Sequence, residues 1–177
     1  TRKSTFEKTQ DLISPPQILL LVATGGPAIV KMVLSSGKKA IGAGPGNPPV
    51  MVDETADIPR AAADIIRGNS FENCLQCIGE KEAIAVNCIA DELISCMQAA
   101  GAFLLETEEQ RQSLTALVTD EKGNPKKNWV GKDADLILEA LGIEAPRGVK
   151  TILFEAPADH PTVTEEYLMP ILPVVRV

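Results

Sequence analysis

The stretch "ILLLVATGGPAIVKMVLSSG", residues 18–37, decides the fold class. Its first six residues are apolar without interruption, so they read as a strand buried on both faces rather than one side of a half-solvated sheet. Thr24-Gly25-Gly26 then breaks the run. Pro27 follows at a first-turn position, where its missing N–H costs nothing, and the next residues have helical character. A strand, a glycine turn and a helix in that order form the repeating unit of a sheet with helical crossovers.

The same alternation continues on both sides. Strands are expected over 49–54 ("PVMVDE"), 83–86, 151–154 and 171–175, and helices over 5–13, 58–67, 89–100, 108–118 and 133–141. Pro15-Pro16 closes the first helix, and "TDEKGNPKKN", residues 119–128, reads as a charged surface turn. There is no internal repeat and no low-complexity segment. The expected class is α/β with a largely parallel sheet flanked by helices.

The 177 residues, 45% of them hydrophobic, are enough for one well-formed core. A formal charge of −7 and a pI near 4.8 argue against nucleic-acid or anionic-membrane partners, which demand a basic face. Any phosphate-bearing ligand must then be held locally. The apolar run at 18–23 is far short of the roughly 20 residues of a spanning helix, and no signal peptide is recognised. Four cysteines at uneven intervals do not make a disulfide framework, so a reducing cytoplasmic location with free thiols is expected. The chain opens on Thr1-Arg2-Lys3 and stops on "ILPVVRV", which suggests a piece of a longer protein.

The candidate chemistry centres on "SFENCLQCIGEK", residues 70–81, where Cys74 and Cys77 are separated by two residues. The spacing fits a redox pair, half a metal site or one nucleophile beside an unrelated neighbour. Cys88 and Cys96 read as structural, Cys96 sharing a helical face with Ile89, Leu93 and Ala100. With one close pair of thiols and His160 as the sole histidine, a zinc site lacks ligands. The segment after the pair, "EAIAV", reads as a strand, whereas a thioredoxin-type pair sits where a strand feeds a helix. A thiol of pKa about 8.5 is a few per cent thiolate at neutral pH and strongly nucleophilic. Asn73 is one nearby dipole. A packed turn with two small residues stays open beside the nucleophile.

Two glycine segments are candidate phosphate sites. "IGAGPGNPP", residues 41–49, cannot open into a helix past Pro45 and Pro48-Pro49, and reads as a rigid, closely packed turn. Thr24-Gly25-Gly26 follows a strand and precedes a helix, which suits a phosphate better.

Taken together, "LLLVATGGPAIVKMVLSSGKKAIGAGPGNPPVMVDETADIPRAA", "GNSFENCLQCIGEKEAIAV" and "EEYLMPILPVVRV" resemble the CoA-acylating aldehyde dehydrogenases of the acetaldehyde and propionaldehyde type, which serve ethanolamine and propanediol breakdown. The resemblance covers nearly all of this chain but only the later part of that family's length. It implies an aldehyde dehydrogenase-like catalytic domain at 41–177, preceded at 1–40 by the tail of the NAD-binding domain. It implies Cys77 as the catalytic cysteine and no role for Cys74. Thr24, Gly25 and Gly26 match a turn near the cofactor phosphates, and Glu166 matches a glutamate that contacts the nicotinamide ribose. In hydrolytic members a glutamate activates water; its position falls here on Ala43.

The implied reaction joins a short aldehyde to coenzyme A with NAD as oxidant, through a cysteine thioester, and is reversible. The resemblance further implies a homo-oligomer when full length, a microcompartment association, and no activity from the isolated chain. The competing expectations are a non-catalytic truncated or assembly domain and a CxxC redox switch.

Overall fold

The computed structural model describes Lys3 and residues 5–177. They fall into two compact units, Thr1–Pro45 and Gly46–Val177. In the first, helix α1 (Phe6–Ile13) is capped by Thr5, whose hydroxyl accepts the Lys8 N–H. Strand β1 (Leu20–Thr24), helix α2 (Pro27–Leu34) and strand β2 (Lys39–Ala43) complete a right-sized β-α-β unit, with β1 and β2 parallel from Leu20↔Lys39 to Thr24↔Ala43.

Two expectations are corrected here. The run at 18–23 is not buried on both faces: β1 alternates, and Val22 is 70% exposed. Among the described residues the sheet has two strands, so apolar composition alone did not find a second covering layer. The segment 41–49 is not all turn either. Its first three residues finish β2, because parallel pairing with β1 satisfies their backbone groups, and only residues 44–48 form a link. Gly42 is required there by close approach, since a side-chain carbon would lie 2.9 Å from Val30 Cγ1 of α2.

The second unit is a five-stranded, wholly parallel sheet in the order β3-β4-β7-β6-β5. Its strands are β3 (Pro49–Val52), β4 (Glu82–Ala85), β5 (Ala102–Leu104), β6 (Thr151–Glu155) and β7 (Ile171–Arg176). The helices are α3 (Ile58–Ser70), α4 (Asn87–Ala99), α5 (Glu108–Val118), α6 (Ala134–Ala140) and α7 (Pro161–Thr164). Alternate residues of the central strands face opposite layers. Leu153, Leu172 and Val174 pack with Ile65, Ile66, Leu93 and Met97 of α3 and α4. Ile152, Phe154 and Ile171 pack with Leu114, Ile137 and Leu138 of α5 and α6. β6 and β7 are therefore buried on both faces, as a parallel sheet between helical layers demands.

The helices start where capping chemistry allows. Asp57 accepts the Arg60 N–H ahead of Pro59, and Thr107 with Gln110 forms a reciprocal capping box. The charged turn at 119–128 is closed by Asp120, whose carboxylate accepts the N–H groups of Lys122 and Asn124. β5 and α7 were not expected, being too short to show a period. Cys88 is corrected as well: it is exposed at the start of α4, one residue outside the buried stripe of Ile89, Leu93 and Met97, while Cys96 is half-buried against the core. Among the described residues no helix is long and apolar enough to cross a membrane.

Glu82 is the chief oddity of this sheet. It opens β4 opposite Pro49, is buried, and its Oε2 has no hydrogen-bond partner among the described residues. Burial pushes its carboxyl from 4.5 up to about 7, with Lys81 pulling the other way. Because the folded chain holds this proton more tightly than the unfolded one, stability is full below the ordinary carboxyl value and is lost as pH rises towards 7. Glu82→Gln should therefore gain about 3 kcal/mol over the parent at pH 8 and about 1 kcal/mol or less at pH 5. Thermal unfolding at the two pH values checks this, and an equal difference at both would contradict it.

Candidate active site

The candidate site lies along the amino ends of β3, β4 and β7, where three connections meet: residues 46–48, 71–81 and 165–170. Between α3 and β4 the backbone turns through three successive non-glycine residues with positive φ, Glu72 at 52°, Asn73 at 55° and Cys74 at 57°. Left-handed backbone costs such residues roughly 1–2 kcal/mol each, so neighbours must hold it. Asn73 does so by donating to Gly131 O at 3.1 Å and Asp133 Oδ1 at 2.7 Å. This corrects its expected part: the Asn73 amide anchors the loop to the approach of α6 instead of facing a cysteine.

The two cysteines are separated by environment. Cys74 is 1% exposed, and its Sγ lies 3.1 Å from Lys81 Nζ and 3.5 Å from Asn69 Nδ2. Burial pushes its thiol pKa up, and Lys81 offsets this in part. A buried thiol that resists ionisation is a poor nucleophile. Cys77 is exposed. Its amide N–H, like that of Ile78, finds no acceptor among the described residues.

Cys77 and Glu166 are brought into one cluster by Gly46. The Gly46 N–H donates to Glu166 Oε1 at 3.2 Å, and a methyl group added at Gly46 would come within 3.1 Å of the Cys77 carbonyl oxygen. A side chain at Gly46 would therefore make the Cys77 backbone give way by a few tenths of an ångström. Nearby, Asn47 Nδ2 donates to Val163 O at 2.6 Å and Lys81 N–H to Pro48 O at 3.0 Å, which ties the three connections together.

Thr24, Gly25 and Gly26 belong to the other compact unit and are described within it. Thr24 ends β1, the Gly25 N–H donates to Ala43 O at 3.0 Å, and Gly26 precedes α2 with nothing within 4 Å of where a side chain would project. The open space at Gly26 leaves room for a phosphate oxygen, but Pro27 carries no N–H and the Ile29 and Val30 N–H groups donate to Gly26 O at 3.1 and 3.3 Å, which leaves Ala28 as the one first-turn donor not engaged by that carbonyl. Ala43, aligned with Thr24, ends β2 beside this turn. Among the described residues no three His, Cys, Asp or Glu side chains gather as metal ligands.

Three contributors escaped the sequence: Gly46, Asn69 and Lys81. Asn69 carried a readable signal, as a polar residue on the Ile58, Ala62, Ile65, Ile66 stripe of α3. Lys81 carried none, because a lysine before an apolar strand is ordinarily a solvated end.

The family model of the aldehyde dehydrogenase family matches residues 4–177. Propanal dehydrogenase (CoA-propanoylating) of Salmonella typhimurium is 49% identical over 174 residues, covering 98% of this chain and 37% of the relative. The structure of Rhodopseudomonas palustris propionaldehyde dehydrogenase with bound CoA and an acylated cysteine has a TM-score of 0.93 at 52% identity, over 99% of this chain and 40% of that one. A propionaldehyde dehydrogenase from the fucose utilisation bacterial microcompartment of Clostridium phytofermentans gives a TM-score of 0.93 at 48% identity, over 99% and 40%. The chain thus spans well under half the length of the proteins it matches.

Proposed function

Since the chain belongs to the aldehyde dehydrogenase family, we propose that it forms the later portion of a CoA-acylating member. That enzyme joins a short aldehyde to coenzyme A, with NAD as oxidant, through a thioester on Cys77. The observation that carries this reading is the contrast within "CLQC": an exposed Cys77 beside a Cys74 that is buried and held as a thiol.

The Cys77 thiolate adds to the aldehyde carbonyl, forming the S–C bond and placing negative charge on the carbonyl oxygen. The unengaged N–H of Cys77 is a donor for that oxygen. When bound, NAD supplies the two-electron oxidation that turns this adduct into a thioester. Thr24, Gly25 and Gly26 would hold its phosphates. Glu166, with Oε1 fixed by the Gly46 N–H, would offer its other oxygen to a ribose hydroxyl.

Release depends on the second nucleophile. At Ala43, the position that the resemblance matches to the water-activating glutamate of hydrolytic members, the methyl side chain would offer no base. A CoA thiolate needs no such help and exchanges one thioester for another at little free-energy cost, so the reaction also runs from acyl-CoA. We extend the reading to a cytoplasmic homo-oligomer associated with a microcompartment, in keeping with the origin of one structural neighbour.

The test is the partition of the intermediate. The full-length protein, given propionaldehyde and NAD without CoA, should form about one equivalent of reduced nicotinamide per active site and then stall until CoA is added. Sustained turnover without CoA, at a rate near that with it, would make the protein a hydrolytic enzyme instead.

A further inference from the structure

The loop that presents Cys77 is built around one buried side chain. Lys81 is 2% exposed, and its own N–H is fixed to Pro48 O at the edge of the sheet. Its Nζ donates to Gln76 O at 2.8 Å, Cys74 O at 3.3 Å and Gly79 O at 3.4 Å, and lies 3.1 Å from Cys74 Sγ. Carbonyls on both sides of Cys77 therefore converge on a single group. A peptide unit whose carbonyl turns inward turns the next N–H outward. Gln76 O, aimed at Lys81, belongs to the peptide that carries the Cys77 N–H. Asn73 holds the outside of the same left-handed turn.

We propose that Lys81 is a positioning residue: by gathering the carbonyls of Cys74, Gln76 and Gly79 it orients the peptide units around Cys77 so that the Cys77 N–H faces the carbonyl oxygen of the group bound to the thiol. Without this side chain the Cys74 and Gly79 carbonyls lose the group that gathers them, the Gln76 carbonyl keeps only the Gly79 N–H at 3.2 Å, and three oxygens face one another with no cation between them. That arrangement is unfavourable, and at least one peptide flips. The Cys77 thiol keeps its place in the chain and loses its aligned donor. The inference rests on Cys77 as the nucleophile, and deepens that reading by naming what sets its backbone donor.

Two reactions of the same thiol separate positioning from structure. Acylation of Cys77 by propionyl-CoA develops charge on a carbonyl oxygen, whereas alkylation by iodoacetamide is a displacement that needs no such donor. In the full-length protein, Lys81→Met should slow propionyl transfer to Cys77 on the order of 10²-fold, as expected when an oxyanion donor is lost. KM for propionyl-CoA and the alkylation rate of Cys77 should each change by less than about threefold. Acylation within about threefold of the parent, or acylation and alkylation falling together, would overturn the role.

A second measurement needs no variant. The infrared carbonyl band of a 13C-labelled propionyl group on Cys77 of the parent should lie below that of a small-molecule thioester in water. A band at the solution position overturns the inference even if Lys81→Met fails to fold. If the parent takes up no propionyl group on Cys77 at all, the nucleophile itself is wrong. That outcome is distinct from normal acylation by the Lys81 variant.

Discussion

Cys77→Ala in the full-length protein is expected to lower acyl-CoA formation by at least about 10⁴-fold, the scale on which removal of a covalent nucleophile acts. The loss has no compensation within the loop. Cys74 is buried, its thiol pKa is raised by that burial, and Lys81 Nζ and Asn69 Nδ2 hold its sulfur inside. Cys74→Ala should leave kcat within about tenfold and lower stability by roughly 1–2 kcal/mol through the small cavity it opens. Steady-state assay of the two variants, with peptide mapping of iodoacetamide-labelled protein, checks the pair. Rapid labelling at Cys74, or retained turnover in the Cys77 variant, would exchange the roles.

The second large effect is expected at Asn69, on stability. This side chain is fully buried and joins four pieces of the second unit. From α3, its Nδ2 donates to Glu80 O at 2.7 Å and Ile171 O at 3.3 Å, and its Oδ1 accepts the Thr151 hydroxyl. One residue therefore connects α3, the Cys77 loop, β6 and β7. Asn69→Leu keeps the volume, but leaves the Thr151 hydroxyl and two carbonyls buried without partners at about 1–3 kcal/mol each. Allowing for relaxation, a loss of roughly 3–5 kcal/mol is expected. Denaturant unfolding of variant and parent measures it. A loss below about 1 kcal/mol would show that the network is not what fixes the loop to the sheet.

The fate of Glu82 under changing pH belongs to the same edge of the sheet. Lys81 and Glu82 are consecutive and both buried, yet they serve different neighbours. Lys81 is satisfied by three carbonyls, whereas Glu82 Oε2 lacks a partner among the described residues. The contrast explains why loss of Lys81 should be read in the reactivity of Cys77 and loss of Glu82 in a stability profile.

Much of the architecture was legible along the chain, because helices and strands reveal their buried faces locally. α5 was expected at its observed limits, and β6 and β7 within one residue, since their apolar residues recur with a period that holds wherever they pack. The exposure of β1 was not legible: an apolar run encodes a preference for cover, and what covers it is supplied by other elements. Cys88 failed for a related reason, as one residue of helical phase moves a side chain by about 100° and turns a buried position into an exposed one.

By itself the sequence determined the alternation of strands and helices, the parallel sheet and, through residue-by-residue resemblance, Cys77 as the thiol to watch. Local periodicity and matched motifs are one-dimensional properties, and one chain carries them complete. Only the tertiary structure decided that Cys74 is sealed off, that Gly46 is small because Cys77 passes beside it, and that Lys81 and Asn69 hold the loop. Those roles arise where groups as far apart as Asn69 and Ile171 converge. Convergence is set by packing of the whole sheet, and no short pattern in the chain records it.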